Sequence, residues 1–374
     1  MKVEKARISP IQFMFAIACF IRSSSLLSAF FAPIIKQDAW LIVLMGMVVC
    51  LPVLWVFLSL AKAFPGLNLI EINDTVFGRI GGKIISTLYI WFFFTLTALN
   101  LRDLGNFISK SIMIKTPQLF LIVIFILICA WSVYYGLEVV TRYSIVFIII
   151  SSIILFITII ASLNIMHFNN FLPILNQPVM SYVHSTNIIS TIPFGELVVF
   201  LMIIPNVDVK QKKLSRYFLG GFLLGGLLVL LVIARDVSIL GNTMMYFSLP
   251  SYESLRLITL FDTLGHMEIL YAILLISLLF FKISILFYIS LLALSHWLRI
   301  ENYRPVILPC AALVAAYSII VFESDLQHMT IGRETTPLFW PLFEMLLPLI
   351  TLIIAYIRKI PKKIKEKQKE AAEA

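Results

Sequence analysis

Two charged residues stand alone inside long apolar runs of this chain: Glu196 in "TIPFGELVVFLMIIP" and Lys282 in "LLISLLFFKISILFYISLLAL". A third, Arg22, interrupts "FMFAIACFIRSSSLLSAFFAPII" and is followed by Ser23, Ser24 and Ser25. An arginine at the centre of a bilayer costs about 2.5–3.5 kcal/mol on insertion scales, so such a group faces protein or a wet cavity. A buried lysine pairs with a carboxylate or loses its proton, and Glu196 is the natural partner of Lys282 if their helices touch. Thr95, Ala98 and Arg102 form a helical stripe at i, i+3 and i+7. Arg102 beside Asp103 reads either as an interfacial ion pair or as a functional charge. The chemistry on offer is charge pairing and solute binding. No nucleophile–base triad is spaced for catalysis. The five histidines are scattered, and Cys19, Cys50, Cys129 and Cys310 form no CxxC. No metal, cofactor or enzyme activity is expected.

The interruptions matter as much as the charges. Serine hydroxyls bond backbone carbonyls and compete with the helix ladder. Three serines alone also fit an intact helix packed on its neighbours; with Arg22 beside them, local unwinding is the expectation. Pro193 removes a backbone donor and drives Ile192 from helical angles, and Gly195 adds freedom. The competing reading is a simple proline kink with a hydrogen-bonded Glu196. Both interruptions fall near the middle of their spans. Half-helix N-termini attract anions and freed carbonyls attract cations. The candidate ligand-binding set is therefore Arg22, Ser23, Ser24, Ser25, Thr95, Ala98, Pro193, Phe194, Gly195 and Glu196. Lys282 and Arg102 are candidate intramembrane charges that couple binding to helix packing.

The elements that must position these residues are membrane spans. Of the 374 residues, 60% are hydrophobic and 13% charged, too little polar surface for a soluble chain of this length. Apolar runs recur at 11–35, 40–61, 83–108, 117–137, 143–163, 181–205, 217–240, 266–295, 304–322 and 337–357, about ten spans. The first run is not read as a signal peptide, because its apolar stretch resumes after the serines and no cleavage site is clear. An even number of spans puts both termini on one side. Most of the 29 lysines and arginines then gather on that side, while the opposite loops hold Lys36, Lys110, Lys115, Arg256 and Arg333, with Arg235 at a border. That bias predicts cytoplasmic termini and accounts for the net charge of +9 without nucleic acid. The tail "RKIPKKIKEKQKEAAEA" reads as lipid-touching or as a solvated stop-transfer segment.

The expected layout is a cytoplasmic N-terminus at 1–10, a five-helix repeat at 11–163, an external loop at 164–180, a second repeat at 181–357 and a basic cytoplasmic tail at 358–374. Each half opens with its interrupted helix. Five spans per half make the second half inverted, as in transporters built around a mid-membrane site. No connection can hold a soluble catalytic domain. "FGRIGGK" at 77–83 lacks phosphate-loop spacing and reads as a turn entering the third span. "GGFLLGG" at 220–226 reads as a close helix-packing face.

Several stretches together resemble one family: "ISPIQFMF", "QDAWLIVLMGMVVCLPVLWVFLSL", "LNLRDLGNFI", "PFGELVVFLMIIP" and "HMEILYAILLISLLFFKIS". They look like the multi-spanning B subunit of spore nutrient-germinant receptors, within the amino acid–polyamine–organocation transporter superfamily. The resemblance runs from about residue 8 to 357. It implies an all-α integral membrane protein with a LeuT-like 5+5 inverted repeat and discontinuous helices 1 and 6. It implies the inner membrane of a bacterial spore, a larger A subunit and a lipoprotein C subunit as partners, and a small nutrient, often an amino acid, as ligand. The family's "FGE" falls on Phe194, Gly195 and Glu196, its span-eight lysine on Lys282, and its "LR" on Leu101 and Arg102. Two departures stand out. The first-helix break of the family is commonly glycine-bearing and apolar, where this chain has "RSSS". An "R.E" pair that opens span eight in relatives is here His266–Met267–Glu268. A receptor subunit is the first functional expectation. An independent amino-acid or cation-coupled transporter is the alternative, since fold alone does not separate them.

Overall fold

A computed structural model describes residues 6–24, 27–258 and 267–360. Among these residues the regular structure is helical, apart from one parallel bridge between Ile8 and Val207. The helices are α1 (Pro10–Arg22), α2 (Ser28–Ile35), α3 (Ala39–Ala63), α4 (Leu69–Ser111), α5 (Gln118–Tyr134), α6 (Leu137–Ser162) and α7 (Val179–Ile189). There follow α8 (Gln211–Leu240), α9 (Pro250–Arg256), α10 (Met267–Leu298), α11 (Ile307–Ile320), α12 (Asp325–Thr330), α13 (Thr336–Phe339) and α14 (Leu347–Ile357). Among the described residues, seven helical stretches are long and apolar enough to cross a membrane, and Pro10–Arg22, Gln118–Tyr134 and Arg304–Ile320 are shorter apolar helices.

Local sequence sets the helix starts. Ser9 caps α1 in a reciprocal pair with Gln12, and Pro10 sits at the first position, where its missing donor costs nothing. Asn68 and Glu71 form the same capping pair at the start of α4. That pair explains a departure from expectation. Helical backbone begins at Leu69, well before 83, and continues on both sides of a single kink at Gly78, whose φ of 76° only glycine adopts readily. The "FGRIGGK" stretch is thus helix with one kink, not a turn.

The core forms where α1 is enclosed by α8, α6 and α10, with α4 and α3 completing the wall. The α1–α8 contact is close because α8 presents glycines. A Cβ at Gly221 would stand 2.5 Å from the Met14 carbonyl oxygen, and one at Gly225 would stand 2.8 Å from Ile21 Cβ. Small residues let helix backbones approach, as the "GGFLLGG" reading anticipated. Large apolar side chains such as Trp55, Trp91, Trp131 and Ile357 line the outer surface, where hydrocarbon would solvate them.

Candidate functional site

The arginine–serine run lies where the first helix gives way to the next. α1 closes at Arg22 and α2 opens at Ser28. The backbone N–H of Ser23 donates to Cys19 O at 2.9 Å, and that of Ser24 donates to Ile21 O at 3.1 Å. The Ser23 hydroxyl lies 2.6 Å from Cys19 O and 2.8 Å from Leu278 O on α10. It links the end of α1 to the lysine-bearing helix.

The sixth span behaves differently at its proline. α7 ends at Ile189, Ile192 takes extended angles (φ −111°, ψ 118°), and Gly195–Met202 continues as a 3-10 helix. The cause is local: proline disfavours helical angles in the residue before it and supplies no N–H. Glu196 is carried just beyond this change and is 1% exposed.

Lys282 joins the two regions. Its Nζ lies 2.7 Å from Glu196 Oε2 and donates to Ser24 Oγ at 2.6 Å. The Phe20 ring centroid is 4.7 Å from the same ammonium. A lone buried ammonium is costly, and this one has an anion, a hydroxyl and an aromatic face. Above it opens a cavity of about 350 Å³, with Ser23, Ser24, Ile192, Glu196 and Lys282 in its wall. The α4 wall carries Asn100, Asp103, Asn106 and Lys110, and the facing wall carries Asp325, His328, Thr336 and Trp340. Toward the mouth, Asp103 Oδ1 lies 3.5 Å from His328 Nε2, whose ring stacks on Phe322 at 4.5 Å. Lys110 pairs with Asp325 there, both side chains well exposed. The arrangement suits a small solute with both polar and apolar parts.

The expected site residues divide sharply. Ser23, Ser24, Glu196 and Lys282 meet at the cavity. Ser25 lies outside the described residues, as does His266. Arg22 is buried away from the cavity wall, in the electrostatic neighbourhood of Tyr271, Arg235 and Asp236. Thr95 donates to its own helix at Trp91 O (2.8 Å), and Ala98 is packed core. Arg102 donates to Ser318 O and Ile319 O near the end of α11, at 3.1 and 2.8 Å, instead of pairing with Asp103. A guanidinium there complements the negative end of that helix. Pro193, Phe194 and Gly195 are buried and shape the turn, with Phe194 edge-on to Phe222 at 5.1 Å.

The stripe and the cavity wall differ in helical phase. The cavity uses Asn100, Asp103, Asn106 and Lys110, at i, i+3, i+6 and i+10, rotated from the stripe of Thr95, Ala98 and Arg102. Arg235, near the end of α8, is buried in protein. It is 4% exposed, its Nη2 lies 2.7 Å from Asp236 Oδ1, and its Nη1 donates to Thr158 Oγ1 at 2.9 Å. Ser254 of α9 donates to the same aspartate at 2.7 Å, so α9 covers a charge that looked marginal in sequence.

Comparison with known proteins agrees with this architecture. The sequence model of a family described as "Spore germination protein" matches residues 7–326. Spore germination protein KB of Bacillus subtilis is 27% identical over 374 residues, covering 98% of both chains. Putative spore germination protein YfkT of the same organism is 26% identical, covering 85% of this chain and 87% of its own. Among solved structures, Mhp1, a nucleobase-cation-symport-1 family transporter in a closed conformation with bromovinylhydantoin bound, superposes with a TM-score of 0.66. That match has 14% identity and covers 88% of this chain and 75% of Mhp1. A manganese transporter of Eremococcus coleocola gives a TM-score of 0.53 at 11% identity, covering 94% and 77%. The fold is that of LeuT-like transporters, and the apolar helices make this a multi-pass membrane protein. A transporter-type helical fold, a cavity lined by both apolar and charged residues and a family match across most of its length place this chain in the spore germination protein family.

Proposed function

We propose that the chain is the transporter-like B subunit of a germinant receptor, binding a small nutrient, an amino acid by family resemblance, between interrupted helices 1 and 6. The observation that carries the reading is Lys282, which bridges Ser24 of the first span to Glu196 of the sixth at the cavity wall. A solute that competes for any member of this bridge favours one packing of the spans over another, and that difference is what a partner can sense. The reading includes an A subunit and a lipoprotein C subunit as those partners. It includes the spore inner membrane as the location, both termini in the cytoplasm, and two five-helix halves in inverted relation. The family match and the relative named Spore germination protein KB support it.

A second reading, an independent amino-acid or cation-coupled transporter, is favoured by the fold shared with symporters. One experiment separates the two. Spores lacking this gene are exposed to a panel of nutrients, and purified protein in liposomes is offered labelled amino acids. Loss of germination with at least one nutrient is expected. Unchanged germination with every nutrient, together with solute accumulation in liposomes, rejects the receptor. Glu196→Gln and Lys282→Met should each blunt the nutrient response at least tenfold while the protein still reaches the membrane. Wild-type sensitivity in both, at normal protein levels, removes these residues from the site.

A further inference from the structure

Glu344 stands apart from the lysine bridge and from the cavity wall. It lies in the π-helical stretch Leu342–Leu346 that leads into α14 and is fully buried. Among the described residues, neither of its carboxylate oxygens meets a hydrogen-bond donor. A Cβ placed on Gly195 would stand 2.3 Å from Glu344 Oε2 and 3.0 Å from Ser190 O. The carboxylate and a carbonyl from the sixth-span interruption thus converge on one point, which stays open because residue 195 has no side chain. The Ser190 hydroxyl, itself 1% exposed, is also without a partner.

The surrounding charges do not neutralise a second anion. Gly195–Met202 contributes Glu196, and α10 contributes Lys282, already engaged by Glu196 and Ser24. From α4 comes Tyr89, whose hydroxyl donates to Phe343 O at 3.0 Å, and from α3 comes Cys50, whose thiol donates to Ser190 O at 3.2 Å. α13 and α14 bring no charged side chain. The one nearby ammonium is therefore shared by Glu196, by Glu344 at longer range and by Asp103 of α4, which also lies beside His328. An ionised carboxylate without a donor is among the most expensive groups to bury. A carboxylic acid needs only one acceptor, and the Ser190 carbonyl borders the same point beside Gly195. A bare metal ion would need several oxygens around it.

We propose that Glu344, with the Ser190 carbonyl and the bare Gly195 backbone, forms a second intramembrane site that binds one proton. The step is simple: the carboxylate takes a proton from solvent to become a carboxylic acid, whose O–H donates toward the Ser190 carbonyl oxygen. Release leaves two anions competing for Lys282. Occupancy of this site thereby sets how firmly Lys282 holds Glu196. The inference concerns the chemistry of this chain and stands whether it serves a receptor or a transporter.

The test uses full-length protein in lipid nanodiscs and infrared difference spectroscopy. The wild type should show the C=O band of a protonated carboxylic acid at neutral pH, shifted in heavy water. Glu344→Gln should lose that band, while Lys110→Ala at the exposed cavity mouth should keep it. Absence of the band in the wild type, or its survival in Glu344→Gln, overturns the proposal. So does a sodium-dependent rise in melting temperature that Glu344→Gln abolishes, since that marks an alkali-cation site. If Glu344→Gln does not fold, Gly195→Ala serves instead. Its methyl group must push the carboxylate aside, so the band should move, and an unmoved band overturns the geometry.

Discussion

At the scale of residues, the bridge from Ser24 through Lys282 to Glu196 governs what substitution does. Removing one member of a buried ion pair strands the other, which costs about 3–5 kcal/mol. Lys282→Met alone should lower thermal stability by that order, and the double variant Lys282→Met/Glu196→Gln should recover most of it. Equal melting temperatures for the single and double variants would show that the charges do not depend on each other. This pairing was legible in the sequence because two opposite charges stood alone in apolar spans, and isolated intramembrane charges seek each other. Glu344 offered the same signal in "PLFEMLLP", yet which span faces it became visible only with the packing of the last helix against Gly195. The stripe containing Arg102 defined a helix face without saying what that face meets. Here it meets the end of α11.

At the scale of elements, α1 is held against α8 by the absence of side chains. Gly225→Leu should force the two apart. Overpacking of this kind costs about 1–3 kcal/mol, and because the contact borders the arginine–serine run it should also weaken the nutrient response. A variant with unchanged stability would mean that α8 slides freely over α1. Spacing alone announced this contact, since glycine pairs four to five residues apart fall on adjoining faces of one helix. The start of α4 was less legible. Its capping pair at Asn68 and Glu71 lies in polar sequence that apolar-run reading passes over, so the helix is longer than its membrane-like portion. The covering of Arg235 and Asp236 by α9 was not readable at all, because it depends on a connection folding back.

For the whole molecule, orientation and access are the open properties. The positive-inside bias predicts that an impermeant maleimide labels Lys115→Cys in intact cells, whereas Lys212→Cys reacts only after permeabilisation. The reverse pattern would invert the topology. At the cavity mouth, Lys110 and Asp325 are 57% and 40% exposed, so the pair is solvent-screened. Lys110→Ala should change stability by less than about 1 kcal/mol, while still altering the nutrient concentration needed for a half-maximal response. An unaltered threshold would mean that solutes enter elsewhere. Finally, the backbone bridge between Ile8 and Val207 fastens the lead-in of the first span to the exit of the sixth through Ile8 N to Asn206 O and Asp208 N to Ile8 O. The two spans that carry Ser24 and Glu196 are therefore buckled together at one rim. Neither can tilt there without dragging its counterpart or unfastening the clasp, so any rocking they undergo must pivot about that end and open widest at the other.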